Sequence, residues 1–195
     1  MWWTLSLEKG VPKLDEATCI QIINRVRTYK LNEAKIKNIA VEVCERLGVH
    51  HYEVSLQFVG PQKMRALNKE FREKDKSTDV LSFPQYEWKV PLKIKSSDAL
   101  PKRRKVLNPM PLGDVVISLD DALGNAQDSG HGLDQEVCFL MVHGILHLVG
   151  HDHMKAKDKK LMFAEQDKLM KILSDKPKKI SFHKCVTPLK KREPK

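Results

Sequence analysis

Apolar residues recur at helix or strand spacing along most of the chain, and turn residues separate these segments. Asn32 and Gly48 bracket a predicted helix over 33–47, and Pro61 begins another at the first-turn position that proline prefers. Alternation over 52–59 predicts a strand. Further strands are predicted over 80–83 and 114–119, a short helix from Asp120 or Asp121 to about Gly130, and longer helices over 15–29, 134–149 and 156–173.

This mixed order of elements predicts an α+β fold, with a mixed sheet of about four strands packed with helices around a central histidine-bearing helix. We expect a single small domain over 1–175, with a basic insertion at about 85–111 and a basic, disordered C-terminal tail over 176–195. No segment has the length of a membrane span, and the N-terminus lacks the apolar run of a signal peptide.

The positive charge of the chain is concentrated in two segments. The formal net charge is +10, of which 176–195 contributes +7 and 85–111 contributes +5, so the remainder carries about −2. Such segments attract nucleic acid through its phosphates without reading its bases. A solubilising role is the alternative. We expect these segments to have affinity for RNA, and we expect no membrane as a partner.

The four cysteines are far apart and form no C-x-x-C motif. This spacing argues against a cysteine zinc site and against a disulfide framework. A reducing cytoplasm is therefore the expected compartment. Cys138 is predicted to face the core.

The segment 143–153, HGILHLVGHDH, carries the strongest chemical signal. His143 and His147 are four residues apart and share one face of a helix that is apolar nearly all round. Gly150 ends this helix, because glycine adopts a left-handed C-cap without strain. The turn returns His153 to the same point. Three imidazoles there would bind one zinc ion per chain and leave a position open for water.

Two neighbours of these histidines have open roles. His151 is a ligand, a group that orients a ligand, or a substrate contact. Asp152 either orients an imidazole or bonds to the backbone of its own turn.

The histidine spacing also matches the H-E-x-x-H-x-x-G-x-x-H pattern of zinc peptidases, except that Gly144 replaces the glutamate. That glutamate is the general base in the peptidases. Its loss favours a substrate that carries its own charge, such as a phosphodiester. A zincin-like metallopeptidase stays an alternative, as does a non-catalytic RNA-binding assembly protein with structural zinc.

Two upstream segments complete a family pattern. Residues 67–84 read LNKEFREKDKSTDVLSFP, and residues 112–119 read LGDVVISL. With the histidine segment, they resemble the YbeY family of endoribonucleases over about residues 50–173. Ser77 stands where the family has proline. The absence of proline is expected to loosen that loop without removing a chemical group.

The resemblance implies a zinc-dependent endoribonuclease that prefers single strands, with His143, His147 and His153 as the metal ligands. It implies action in 3′-end maturation of small-subunit (16S) ribosomal RNA and in ribosome quality control. Small-subunit ribosomal proteins or assembly GTPases are the protein partners that fit this role. It also places Arg72 near the substrate phosphate.

Arg72 suits that role because its fork of donors binds phosphate bidentately. Judged from the residues alone, a surface arginine paired with Glu70, Asp75 or helix carbonyls is the commoner role. With the resemblance, we expect Arg72 to be catalytic and to contact the substrate. Lys74, Ser82 and His151 are further candidates for substrate binding. No general base is identified.

Overall fold

The computed structural model describes residues 20–50, 52–88, 91, 109–174 and 185–189. Residues 1–19, most of the basic insertion and most of the basic tail therefore lie outside the described residues. In chain order the elements are β1 (Ile20–Asn24), β2 (Tyr29–Leu31), α1 (Glu33–Arg46), β3 (Tyr52–Val59), α2 (Pro61–Arg72), β4 (Val80–Pro84), β5 (Met110–Ser118), α3 (Leu119–Asp128), α4 (Leu133–Leu148), α5 (Ala156–Ser174) and β6 (Val186–Pro188).

The described strands form a four-stranded sheet in the order β1-β3-β5-β4. β1, β3 and β5 run parallel, and β4 pairs antiparallel with β5 at the edge. A separate two-stranded sheet pairs β2 with β6. The predicted α+β class and the mixed four-stranded sheet are therefore confirmed.

Most predicted bounds hold because local signals set them. The Asn32 side chain accepts a hydrogen bond from the Lys35 amide at 3.1 Å and caps α1. Pro61 occupies the first turn of α2, and Glu73 ends that helix with a left-handed φ of 58°.

The helix predicted over 15–29 is wrong where the structure describes it. Residues 20–24 form β1, which pairs in parallel with β3, and Tyr29 begins β2. The isoleucines at 20, 22 and 23 are β-branched and favour a pleated strand, but their spacing also fits a helix. Pairing with β3 is a long-range contact that the local pattern does not contain.

The predicted disorder of the tail is also wrong for residues 185–189. Cys185 and Val186 are buried, and β6 pairs with β2. The Asp134 carboxylate at the start of α4 accepts hydrogen bonds from the Val186 amide at 2.7 Å and from the Cys185 thiol at 3.2 Å. A short apolar segment in a basic tail is thus tied to the histidine helix.

Helix α4 is central, with contacts to α1, α3, α5, β4, β5 and β6. At Gly144 the helix backbone comes so close to the sheet that an added Cβ would lie 2.4 Å from Val115 Cγ1. Glycine therefore sets the distance between α4 and the sheet, and so the depth of the histidines below the surface.

Two smaller expectations concern the cysteines and membranes. Cys138 is 1 % exposed in the core, and the described cysteines Cys44, Cys138 and Cys185 form no disulfide. None of the helices in the described ranges is long and apolar enough to cross a membrane.

Candidate metal centre

The turn after α4 is a Schellman motif. Gly150 has a left-handed φ of 89°, its amide donates to the His147 carbonyl at 3.0 Å, and the His151 amide donates to the Leu146 carbonyl at 3.0 Å. Trp88 stabilises the turn, because its indole N–H donates a hydrogen bond to the Leu148 carbonyl at 2.8 Å. The predicted role of Gly150 in ending the helix is confirmed.

This turn brings His153 back to the two helical histidines. The Nε2 atoms of His143 and His147 are 3.2 Å apart. The ring centroid of His153 lies 5.4 Å from that of His143 and 4.9 Å from that of His147. One ring nitrogen from each of the three lies within 4.8 Å of the others, so the structure brings together the predicted set.

Hydrogen bonds on the far side of two rings aim their Nε2 atoms at this point. His147 Nδ1 lies 3.0 Å from the His151 backbone carbonyl, which only accepts, so Nδ1 donates and Nε2 keeps its lone pair. His143 Nδ1 lies 3.0 Å from the Gln166 side-chain oxygen on α5. Oriented imidazoles of this kind are the usual support of a metal site.

The spacing of the His143 and His147 nitrogens fits a metal ion. Zinc at about 2.05 Å from each of two imidazole nitrogens, with a tetrahedral angle, separates those nitrogens by about 3.3 Å. The observed separation of His143 and His147 is 3.2 Å. Two lone pairs held this close in a half-buried site repel each other, and a shared cation turns that repulsion into attraction.

Burial favours the neutral, metal-binding form of His143 and His147. It is the main cause that lowers the pKa of His147 from 6.5 to about 4, and the neighbouring His143 and His153 contribute to this shift. Burial also lowers the pKa values of His143 and His151. The centre therefore has a measurable pH dependence.

We expect the metal-free protein to lose stability as the pH falls from about 6.5 towards 4. Between those values the unfolded chain binds a proton on His147 that the folded chain excludes, so the free energy of unfolding rises with pH across this window. Urea unfolding at several pH values in the presence of a chelator measures the slope.

The matched variant is His147→Gln, which removes one titrating group and keeps a polar side chain. Its unfolding free energy should depend less steeply on pH than that of the wild type. Equal slopes for the two proteins would contradict the assignment of a depressed pKa to His147.

A cavity of about 560 Å³ is lined by cationic side chains as well as by the histidines. Arg72 at the end of α2 and the following Lys74 and Lys76 line it together with His143, His147 and His153. The cavity thus combines a cluster of metal-binding type with a positive wall.

Arg72 does not have the ion pairs that the sequence offered as an alternative. The Asp75 carboxylate accepts from Arg65 at 2.8 Å and from Lys69 at 3.1 Å, and these hydrogen bonds lower its pKa to about 2. Within the described part of the chain, no salt bridge involves Arg72, whose side chain is exposed at the cavity. The guanidinium is therefore available to a phosphate.

The other candidate residues divide into two groups. Lys74 lines the cavity, and Ser82 is buried at its wall on β4. The side chain of His151 is not among the groups that line this cavity. His151 instead acts through its backbone carbonyl, which orients His147. The Asp152 carboxylate accepts from the amides of His153 and Met154 at 2.7 and 3.3 Å, as the turn interpretation predicts.

Sequence reasoning missed Gln166, Lys76 and Met154. Gln166 is fully buried in the apolar stripe of α5, at helical spacing from Met162 and Leu169. A polar residue in such a stripe needs a partner, and this was the available signal. Lys76 and the highly exposed Met154 lie in segments without helical or strand spacing, so no pattern pointed to them.

Ser77 does not loosen its loop in the way expected from the absence of proline. Its hydroxyl donates to the Asp121 carboxylate at 2.6 Å, and the Ser118 hydroxyl donates to the same oxygen. The loop that follows Arg72 is thus tied to the first turn of α3 by a bond that proline cannot make.

Comparison with known proteins identifies the family. A family model described as Endoribonuclease YbeY matches residues 21–174. The Endoribonuclease YbeY of Caldicellulosiruptor saccharolyticus is 37 % identical over 147 residues, which cover 73 % of this chain and 89 % of that protein. The protein of the same name from Aquifex aeolicus is 38 % identical over 145 residues, covering 74 % and 85 %.

A solved structure agrees in fold. The solution structure of TM1509 from Thermotoga maritima matches with a TM-score of 0.51 at 24 % identity, covering 78 % of this chain and 87 % of that one. The family model and the two relatives show that the chain belongs to the YbeY family of endoribonucleases.

Proposed function

We propose that this protein is a zinc-dependent endoribonuclease that cleaves single-stranded RNA in the cavity between α4 and the end of α2. The observation that carries the proposal is the arrangement of His143, His147 and His153 in one cavity with Arg72 and two lysines. Family membership supports RNA cleavage, and the nitrogen spacing supports the metal.

The three imidazoles would hold the ion, with Gln166 and the His151 carbonyl fixing the orientation of His143 and His147. When bound, zinc supplies a Lewis acid and lowers the pKa of a coordinated water to near 7. Nickel, copper or iron also bind imidazoles, so the native metal is part of the test.

Arg72 would bind the phosphate that is cleaved and stabilise the negative charge that develops on it. Its guanidinium donates two parallel hydrogen bonds to phosphate oxygens, which also orients the phosphate. Lys74 and Lys76 add positive charge along the path of the strand, and Ser82 offers a hydroxyl at the wall. His151 would support the site through its backbone carbonyl, which orients His147.

A single strand fits these groups because its phosphates can enter the cavity, whereas a duplex would lie across the opening of the cavity. We propose ribosomal RNA of the small subunit as the substrate, in 3′-end maturation and quality control. The basic segments 85–111 and 176–195 would add non-specific affinity for that RNA. Cytoplasmic location is part of the same proposal.

The proposal is tested by cleavage of a labelled single-stranded RNA with protein of measured metal content. We expect cleavage by the metal-loaded protein, loss with a chelator, and recovery when stoichiometric zinc is returned. The same sequence annealed to its complement should be cut much more slowly.

Cleavage that persists after the metal has been removed would contradict the proposal. Stoichiometric metal and RNA binding without any cleavage would favour the assembly-protein alternative. Metal-dependent hydrolysis of a casein-like substrate would favour the peptidase alternative.

A further inference from the structure

A second cavity adjoins the candidate metal centre. It has a volume of about 430 Å³ and lies between the C-terminal end of α3 and the N-terminal half of α4. Asp79 lines both cavities. Phe139 lines the second cavity one helical turn before His143, and their nearly parallel rings have centroids 6.2 Å apart. A strand with a phosphate at the centre would therefore have a neighbouring nucleotide near this cavity.

Hydrogen bonds fix the polar wall of this cavity. Glu136 is only 6 % exposed, and its two carboxylate oxygens lie 3.3 Å from His131 Nε2 and 3.4 Å from Asn125 Nδ2. The Asn125 amide nitrogen also donates to Asp79 at 2.9 Å. Both of its N–H groups point at carboxylates, so the Asn125 side-chain oxygen remains as an acceptor.

Asp128 adds a second acceptor to the cavity. It is the last residue of α3, it is exposed, and within the described ranges its carboxylate has no hydrogen bond or salt bridge. A carboxylate accepts two parallel N–H donors at once. The groups left for a ligand are therefore mainly acceptors beside the aromatic face of Phe139.

This combination disfavours ionic ligands. Among the described residues, only the three histidines of the metal centre bring their ligand atoms together, so the carboxylates of this cavity do not converge on a cation. Asp79, Asp128 and Glu136 would repel a phosphate, and the imidazole of His131 already pairs with Glu136. A flat, neutral ligand with donor groups fits best.

We propose that this cavity binds the base of a nucleotide next to the cleaved phosphate and that it prefers guanine. Phe139 provides the stacking surface that unpaired bases use in proteins. Asp128 accepts from the two adjacent donors of guanine, N1–H and N2–H. In the same position, adenine, cytosine and uracil would each place an acceptor lone pair against one carboxylate oxygen, and the two would repel each other. The inference rests on the proposed RNA-cleaving function.

The test uses oligouridylates in which one internal position is guanine, adenine or cytosine. Mapping the fragments compares the bonds beside the substituted base with uridine–uridine bonds in the same molecule. We expect one bond beside guanine to be cut at least about fivefold faster than uridine–uridine bonds, the lower limit for a good bidentate base contact.

Asp128→Asn should bring this ratio close to one, because an amide cannot accept both donors. The ratio is measured within one molecule, so the general effect of the lost charge on RNA affinity cancels. Asp167→Asn, on an exposed face of α5 outside both cavities, is the matched control and should keep the preference.

Affinity for 2′-O-methyl versions of the same oligonucleotides, measured by fluorescence anisotropy, separates this inference from the nuclease proposal. A preference for guanine in binding that Asp128→Asn removes, without any cleavage, would support the base site and contradict the nuclease. Cleavage without a guanine preference, or a preference that survives Asp128→Asn, would overturn the base site alone. If the protein neither cleaved the RNA nor bound guanine preferentially, both the base site and the nuclease proposal would be overturned.

Discussion

Replacing His147 with alanine is expected to abolish stoichiometric metal binding and to lower RNA cleavage by about a thousandfold or more. His147 lies 3.2 Å from His143 across the centre, and its removal leaves two imidazoles, too few for the usual zinc site. Loss of a metal that contributes several kcal/mol to transition-state stabilisation corresponds to a rate loss of this order. Metal content by mass spectrometry and kcat/KM for a single-stranded RNA measure the two effects.

His151→Ala is the matched control, because it removes an imidazole from the same turn. The bond to His147 comes from the backbone carbonyl of His151, which alanine retains. This variant should therefore keep one metal ion per chain. If His151→Ala lost the metal and His147→Ala kept it, the assignment of the ligands would be wrong. Circular dichroism checks that both variants fold.

Replacing Arg72 with alanine is expected to lower kcat/KM for RNA by about 100- to 1000-fold and to leave the metal content unchanged. Arg72 lines the same cavity as the histidines, but it is not one of the three residues whose ligand atoms come together to hold a metal. Removal of one donor aimed at developing charge has effects of this size in other enzymes. Arg72→Lys should recover only part of the activity, since an ammonium group lacks the planar fork.

Arg27→Ala is the control for loss of a positive charge. Arg27 is exposed between β1 and β2, and β1 lies at the opposite edge of the sheet from β4. Its removal should change cleavage little at physiological salt. Comparable losses for Arg27→Ala and Arg72→Ala would show that Arg72 contributes only general attraction for RNA.

Elements with local signals could be predicted from the sequence. Asn32 and Pro61 begin their helices, and Gly150 ends another, because a cap or a backbone conformation acts over a few residues. Strands β1 and β6 depend on distant partners instead. Their pairing with β3 and β2 decides the structure, and no window of the sequence contains that information.

The same division applies to the site. The spacing of His143, His147 and His153 was sufficient to predict that the three histidines come together, because a helix and a glycine turn translate that spacing into geometry. Gln166 comes from α5 and Asn125 from α3, and only the packed structure joins them to His143 and Glu136 of α4. The sequence likewise gave no sign that Asp75 is bound by Arg65 and Lys69, which leaves Arg72 available.

The close approach of Gly144 to the sheet restricts how this protein can change its chemistry. A side chain at this position would meet Val115 and the hydroxyl of Ser82 before it reached the metal. Conversion to the peptidase motif therefore requires more than one substitution, since α4 would first have to move away from β5. A search for the missing base should turn to the walls of the cavity that α2 and β4 provide.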